Sequence, residues 1–211
     1  MSEPLATRFD HRQIADYLSA LSSGTPAPGG GSAAGLAGAM GCGLGAMVCS
    51  LTLYREPSQS VEDLRETLVE LQTALLRNAE ADERAFTAYR DASALPKTTD
   101  LEKAARRVAL ENALVGAAEV PLAMVTLGIE ALAALRTAAD VGTVHALGDL
   151  STGGYLLQAM ILGSLENIEA NTALMKLDEN QRRFEHAATP ARSDLAAGLT
   201  ELASTIANRR G

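Results

Sequence analysis

Residues 25–53 read TPAPGGGSAAGLAGAMGCGLGAMVCSLTL, and the segment divides at Ser32. Before it, Pro26 and Pro28 fix their own φ angles while Gly29, Gly30 and Gly31 leave theirs free, so residues 25–32 form a loop. After it come 21 residues without proline or charge. Gly31, Gly35, Gly38, Gly41 and Gly45 recur at small-xxx-small spacing, which lets a second helix backbone approach closely. A helix of such poor intrinsic propensity holds only when packed against something. The stretch also lies inside an uncharged run of 38 positions from Tyr17 to Tyr54, long enough to raise a membrane span. The two prolines, the glycine loop and the shortage of large apolar side chains disfavour insertion. The spacing therefore predicts a buried helix over residues 33–53, in a close-packed interior or a subunit interface.

Outward from this segment the apolar periodicity is helical throughout. Asp10 is a candidate cap for a first helix with Ile14, Leu18 and Leu21 inward, ending at residues 22–24. From Ser60 a charged amphipathic helix carries Val61, Leu64, Leu68, Leu71, Leu75 and Ala79 on one stripe and runs to about Ala94. Leu95-Pro96-Lys97 interrupts it. Thr99 and Glu102 form a capping-box pattern opening the next helix. Pro121 either kinks that helix or begins another, which continues to Val141 before Gly142. Asp149 opens a long apolar helix through Leu165 and Leu174, and residues 191–209 make a last amphipathic one. No strand run or hairpin turn stands out. The expectation is an all-α fold, one helical bundle over residues 1–211, a length that buries about 70% of the unfolded chain's surface.

Composition excludes several function classes. Eighteen basic against 26 acidic side chains give a net charge of −8, and aromatics make up 3% of the chain. A nucleic-acid binder would carry a basic surplus and stacking groups. Cys42 and Cys49, seven apart on one helix, stand roughly 10 Å apart along its axis, too far for a disulfide. His11, His145 and His186 are scattered, so no metal site is expected. The N-terminus lacks a basic segment followed by an apolar one, which makes the cytoplasm the expected compartment.

Three places could carry chemistry. Backbone N–H groups at the start of the small-residue helix suit an anion or a carbonyl oxygen, although a plain tight turn explains the same residues. Asp82 lies four residues before Phe86 and seven before Tyr89, on one side of a helix; a carboxylate among apolar groups acts as general acid or base, while an exposed acid on a charged helix is the plainer reading. Asn167 and Asn171 are one turn apart in an apolar helix, and buried amides need partners. Asp149 suits an N-cap, and Arg106-Arg107 reads as a solvated patch. Serine, cysteine or histidine nucleophile constellations are absent.

Taken in order, Pro26-Ala27-Pro28-Gly29-Gly30-Gly31-Ser32, Gly41 to Met47 leading to Leu51-Thr52, Asp82 with Phe86, Leu95-Pro96-Lys97, Val120-Pro121-Leu122, Asp149, and Asn167 with Asn171 resemble the cyclodeaminase/cyclohydrolase family across nearly the whole chain. That resemblance implies a helical homodimer with a folate site at the subunit interface. It also implies that Asp82 and Lys97 serve catalysis, and that Pro28, Gly29, Gly30, Gly31, Ser32, Arg55, Asp149, Asn167 and Asn171 serve substrate binding. The reaction it implies first is cyclisation of 5-formimino-tetrahydrofolate to the 5,10-methenyl form with release of ammonia; hydrolysis of the methenyl bridge is the alternative, and a non-catalytic helical dimer is a further one. The folate is substrate, and no cofactor, metal, nucleic acid or membrane is expected. The chain departs from the family pattern at Tyr54-Arg55-Glu56, Thr98, Thr143 and Gly148.

Overall fold

A computed structural model describes residues 12–211, which leaves Asp10 outside the described residues. Seven helices follow one another: α1 (Ile14–Leu21), α2 (Gly30–Arg55), α3 (Gln59–Ala94), α4 (Asp100–Val141), α5 (Leu147–Thr172), α6 (Asp178–Ala188) and α7 (Ala191–Arg210), with a 3-10 turn at Val144–Ala146 before α5. The described residues contain no strand, and the all-α single-domain reading stands.

α2 is the axis of the bundle, lying between α3 and α5. Its glycines are spent on those two neighbours. A Cβ on Gly35 would sit 2.9 Å from the Ala79 Cβ of α3, and one on Gly41 would sit 2.9 Å from the Gly153 carbonyl oxygen of α5. Both distances are too short for a side chain, so the helices approach backbone to backbone, as the small-residue spacing predicts. The predicted leucine stripe of α3 holds as well: Val61, Leu68, Leu71, Leu75 and Ala79 are buried. Cys42 and Cys49 are buried free thiols, pushed by burial to about 12 and about 11; neither is a nucleophile at neutral pH. α2 and α4 are long and apolar enough to cross a bilayer, but 39% and 50% of their most apolar windows are packed inside the bundle.

Four details differ from the sequence reading. α1 turns Tyr17 inward, while Ile14 and Leu18 are exposed; the Tyr17 hydroxyl has a hydrogen-bond partner inside, which the aliphatic side chains lack. α2 begins at Gly30, three residues earlier than predicted. α4 runs through Pro121 without a break, as one 42-residue helix. α6 was not anticipated, because its 11 residues carry one buried side chain, Phe184.

Two side-chain devices fix the starts of α4 and α6. Thr99 Oγ1 accepts from the Glu102 N–H at 3.2 Å while Glu102 Oε2 accepts from the Thr99 N–H at 2.8 Å, the predicted capping box. Glu111, buried on α4, accepts from the backbone N–H groups of Lys176 (2.8 Å) and Leu177 (3.2 Å) and from Asn180 Nδ2 (2.8 Å), and so ties down the start of α6. Burial alone would raise its pKa, but the donors, Asn180 first, outweigh burial and hold it low. Glu111→Ala is expected to cost about 1–3 kcal/mol in urea unfolding, part of the contribution being screened because Glu111 borders an open groove. A depressed folded-state pKa stabilises above the ordinary carboxylate range and loses that contribution as pH falls through the folded value. The mutational cost should therefore shrink on acidification.

Candidate active site

α3 carries Asp82 to the N-terminus of α2, where Gly29 occupies the cap position and supplies no side chain. The missing cap comes from the neighbouring helix: the Ser32 N–H donates to Asp82 Oδ2 at 3.0 Å. Ser32 is the third helical residue, the position an N-cap oxygen normally serves. Gly31 makes the approach possible, since a Cβ there would lie 2.1 Å from Asp82 Oδ1. The glycine run is thus dictated at Gly31 by a carboxylate 51 positions away in the chain. Burial raises the Asp82 pKa; the Ser32 N–H opposes this and the neighbouring Glu83 charge adds to it, with a net upward shift.

Behind Asp82 stands a polar cluster that the motifs did not announce. Arg12 forks onto Glu83 at 2.8 and 2.9 Å. The fully buried Ser32 donates its hydroxyl to Glu83 Oε1 at 3.2 Å and lies 3.2 Å from the Tyr17 hydroxyl. Since the single Ser32 proton points to Glu83, Tyr17 is the donor in that second bond. Burial raises the Tyr17 pKa, which keeps it protonated for this role. Within the motifs, the only hint of this cluster was an acid at position 83 beside Asp82.

In front of Asp82 lies a cavity of about 280 Å³. Its walls include Gly29, Gly30, Gly31, Phe86, Asn167 and Asn171. The two amides are held by their NH2 groups: Asn167 Nδ2 donates to the Gly163 carbonyl at 2.8 Å, and Asn171 Nδ2 to the Ala117 carbonyl at 2.9 Å. Ala117 is the residue whose helical acceptor bond Pro121, four positions on, is unable to make. Asn171 fills that gap from α5, so Pro121 and Asn171 form one device, and each amide oxygen remains available as an acceptor.

The other predicted site residues lie elsewhere. Ser32 is behind the cavity wall, and Pro28 lines a separate hollow beside Arg12 and Tyr17. Lys97 lines an adjoining groove of about 620 Å³ that shares Tyr89, Leu114 and Leu174 with the Asp82 cavity and also presents Lys103, Arg106, Arg107 and Lys176. Arg106-Arg107, read from sequence as a solvated patch, is part of that wall. Arg55 ends α2 and donates to Thr143 Oγ1 at 3.2 Å. Twenty-six helical residues put it about 39 Å from the glycine end. Asp149 sits in the first turn of α5 and makes no cap bond; the helix starts two residues before it, at Leu147. Among the described residues no three His, Cys, Asp or Glu side chains are placed to hold a metal ion.

Known proteins resemble this chain in sequence and in fold. The chain is 35% identical over 162 residues to a methenyltetrahydrofolate cyclohydrolase from Methylorubrum extorquens, covering 75% of this chain and 78% of that one. It is 28% identical over 164 residues to a formimidoyltransferase-cyclodeaminase from Gallus gallus, covering 76% of this chain but only 30% of that much longer protein. The fold matches the crystal structure of a formiminotetrahydrofolate cyclodeaminase from Thermotoga maritima with a TM-score of 0.81 at 21% identity, covering 94% and 98% of the two chains. The sequence profile of formiminotransferase-cyclodeaminase matches residues 13–202, and the chain belongs to that family.

Proposed function

We propose that the protein is a folate one-carbon enzyme that makes or opens the carbon bridge between N5 and N10 of tetrahydrofolate, with Asp82 moving the proton. The observation that carries this reading is the buried carboxylate of Asp82, held on the N-terminus of α2 with a raised pKa and facing a cavity lined by Phe86 and two amides. Such a group takes a proton from a weak acid and returns it. In methenyl hydrolysis Asp82 accepts a proton from the attacking water as its hydroxyl adds to the bridge carbon, then passes that proton to N5 as the N5–C bond breaks, while the hydroxyl proton is lost to solvent and the C=O of the 10-formyl product forms. In cyclisation N10 attacks the formimino carbon, its proton passes through Asp82 to the amino group, and ammonia leaves. Holding the reacting nitrogens in line is worth as much as the proton transfer.

The sequence reading puts cyclisation first. The similarity to a cyclohydrolase of comparable length favours the second reading, hydrolysis. The oxygens of Asn167 and Asn171 suit the N–H donors of a pterin ring, and the cations of the adjoining groove, Lys97 among them, suit the glutamate carboxylates. Two observations support a homodimer: Met40, Met47, Leu51 and Tyr54 are exposed along one side of α2, and Arg55, which the resemblance places at the folate, lies at the opposite end of α2 from Asp82 of its own chain. Sedimentation at twice 22.0 kDa tests it. The compartment proposed is the cytoplasm, with no membrane or nucleic-acid partner.

The deciding measurement mixes purified protein with 5,10-methenyl- and 5-formimino-tetrahydrofolate and follows methenyl absorbance. Decay of the first substrate, faster than its spontaneous hydrolysis, is the expected result. Growth of absorbance from the second would place cyclisation first. Binding of either by calorimetry without turnover would leave a non-catalytic scaffold and overturn the enzymatic reading.

A further inference from the structure

We propose that Arg12 and Glu83 are positioning residues that set the electrostatic environment of Asp82, acting as a clasp in which the guanidinium neutralises the second carboxylate of the site. Two adjacent acids on α3 are tied to one residue of α2: Ser32 gives its backbone N–H to Asp82 and its hydroxyl to Glu83. Left alone, two carboxylates this close would resist ionising together, and the second charge would hold Asp82 protonated well above the ordinary range. The bidentate Arg12 fork sets a guanidinium against the Glu83 carboxylate and so opposes the field of that second acid at Asp82. Both fork partners are mostly shielded, with 23% and 18% of their side chains exposed, so water screens the pair little.

The other groups around Asp82 leave this control to the clasp. Among the described residues α4 presents Leu114 and Ala117 to the cavity, α5 presents Asn167 and Asn171, the turn after α5 presents Leu174, and α2 presents only backbone, none of them charged. On α3, Glu80 pairs with Arg84 at 3.6 Å and acts on Arg12. From the α1 side, among the described residues, the charged or titratable groups are Arg12 itself, Tyr17, a donor to Ser32, and Asp16, which lines the hollow shared by Arg12 and Glu83. The site thus draws on the residue just ahead of α1 for its charge balance, a dependence no motif within residues 26–32 or 82–86 reveals.

The proposal predicts opposite effects from the two partners. The Asp82 carboxylate is followed by 13C NMR in protein labelled at aspartate, its signal assigned by its loss in D82N. Glu83→Gln removes the repelling charge and leaves Arg12 uncompensated, so the Asp82 midpoint should fall by about one pH unit; Arg12→Gln leaves Glu83 bare and should raise it by a similar amount. The double variant should return close to wild type, and Arg12→Lys, which keeps the charge but not the fork, should move the midpoint less than Arg12→Gln. Shifts of the same sign, or none, would overturn the clasp, since a merely structural role predicts no such antisymmetry. Should Arg12→Gln fail to fold, Glu83→Gln and Arg12→Lys still decide it. The mechanistic role rests on the folate reading, but the titration needs no substrate: failure of the folate assay leaves the clasp standing, and failure of the titration leaves the folate reading intact.

Discussion

Asp82→Asn should lower kcat by about 10²–10⁴, the usual worth of a positioned general acid or base, with KM for the folate little changed. The amide keeps the shape of the carboxylate and an oxygen to accept the Ser32 N–H, now 3.0 Å from Oδ2. What it loses is the proton exchange. The same change should not weaken the fold. Burial raises the Asp82 pKa above its unfolded value, so its contribution to folding is fully present below the unfolded pKa, where both states are protonated, and is lost as pH rises through the folded midpoint. Above that midpoint the wild-type chain holds an unfavourable buried charge, and there the variant should unfold at equal or higher urea concentration. A loss of activity with a gain in stability is the mark of a group kept for chemistry. For the wild type, the rate should rise with pH through the raised Asp82 midpoint; in the variant that limb should disappear. An activity within threefold of wild type would remove Asp82 from the mechanism.

The parts of this molecule legible in its sequence are those where local pattern and tertiary packing agree. Thr99 and Glu102 announce a capping box because both halves of the device lie within four residues. The Leu68, Leu71 and Leu75 stripe announces its buried face because a single helix period carries it, and the glycine spacing of α2 announces close approach because only small residues permit it. Where two distant segments share one device, the pattern falls silent. Pro121 left open a kink or a break, because the group that satisfies the Ala117 carbonyl is Asn171, in another helix. Ile14 and Leu18 suggested an inner face because apolar side chains usually turn inward; the Tyr17 hydroxyl won, with Ser32 to meet it. For the site, Asp82, the glycines and the two asparagines share one cavity, yet Lys97 belongs to the groove beside it and Arg55 to the far end of α2. The 26 residues of α2 separate Arg55 from the glycine loop by about 39 Å, so its place in the site rests on the family resemblance and not on the helix that carries it. Glu83 and Arg12 were missed because an ion pair 71 residues apart has no local signature.

Gly31→Ala should cost nearly as much activity as Asp82→Asn, through geometry instead of chemistry. The added methyl would lie 2.1 Å from Asp82 Oδ1 and 2.4 Å from its Cγ, so the two groups exclude one another. Asp82 has a short side chain with its root fixed in α3, and Gly31 is fixed in the first turn of α2; one of them has to leave its place. Turning Asp82 away breaks its bond to the Ser32 N–H and withdraws it from the cavity, while shifting α2 disturbs its close contact with Ala79 at Gly35. Overpacking of this kind costs about 1–3 kcal/mol, and a displacement of about 1 Å at the reacting group costs about 10²-fold in rate. A second substitution separates steric from chemical effects. Asp82→Ala removes the atoms that the new methyl strikes, so the Gly31→Ala/Asp82→Ala double variant should recover most of the stability lost by Gly31→Ala alone and recover none of the activity. That sign of coupling in a double-mutant cycle is expected only of residues in direct conflict. Additive losses in stability would mean that Gly31 is required by the turn and not by the carboxylate, and the link between the glycine run and Asp82, on which the shape of the site depends, would be wrong.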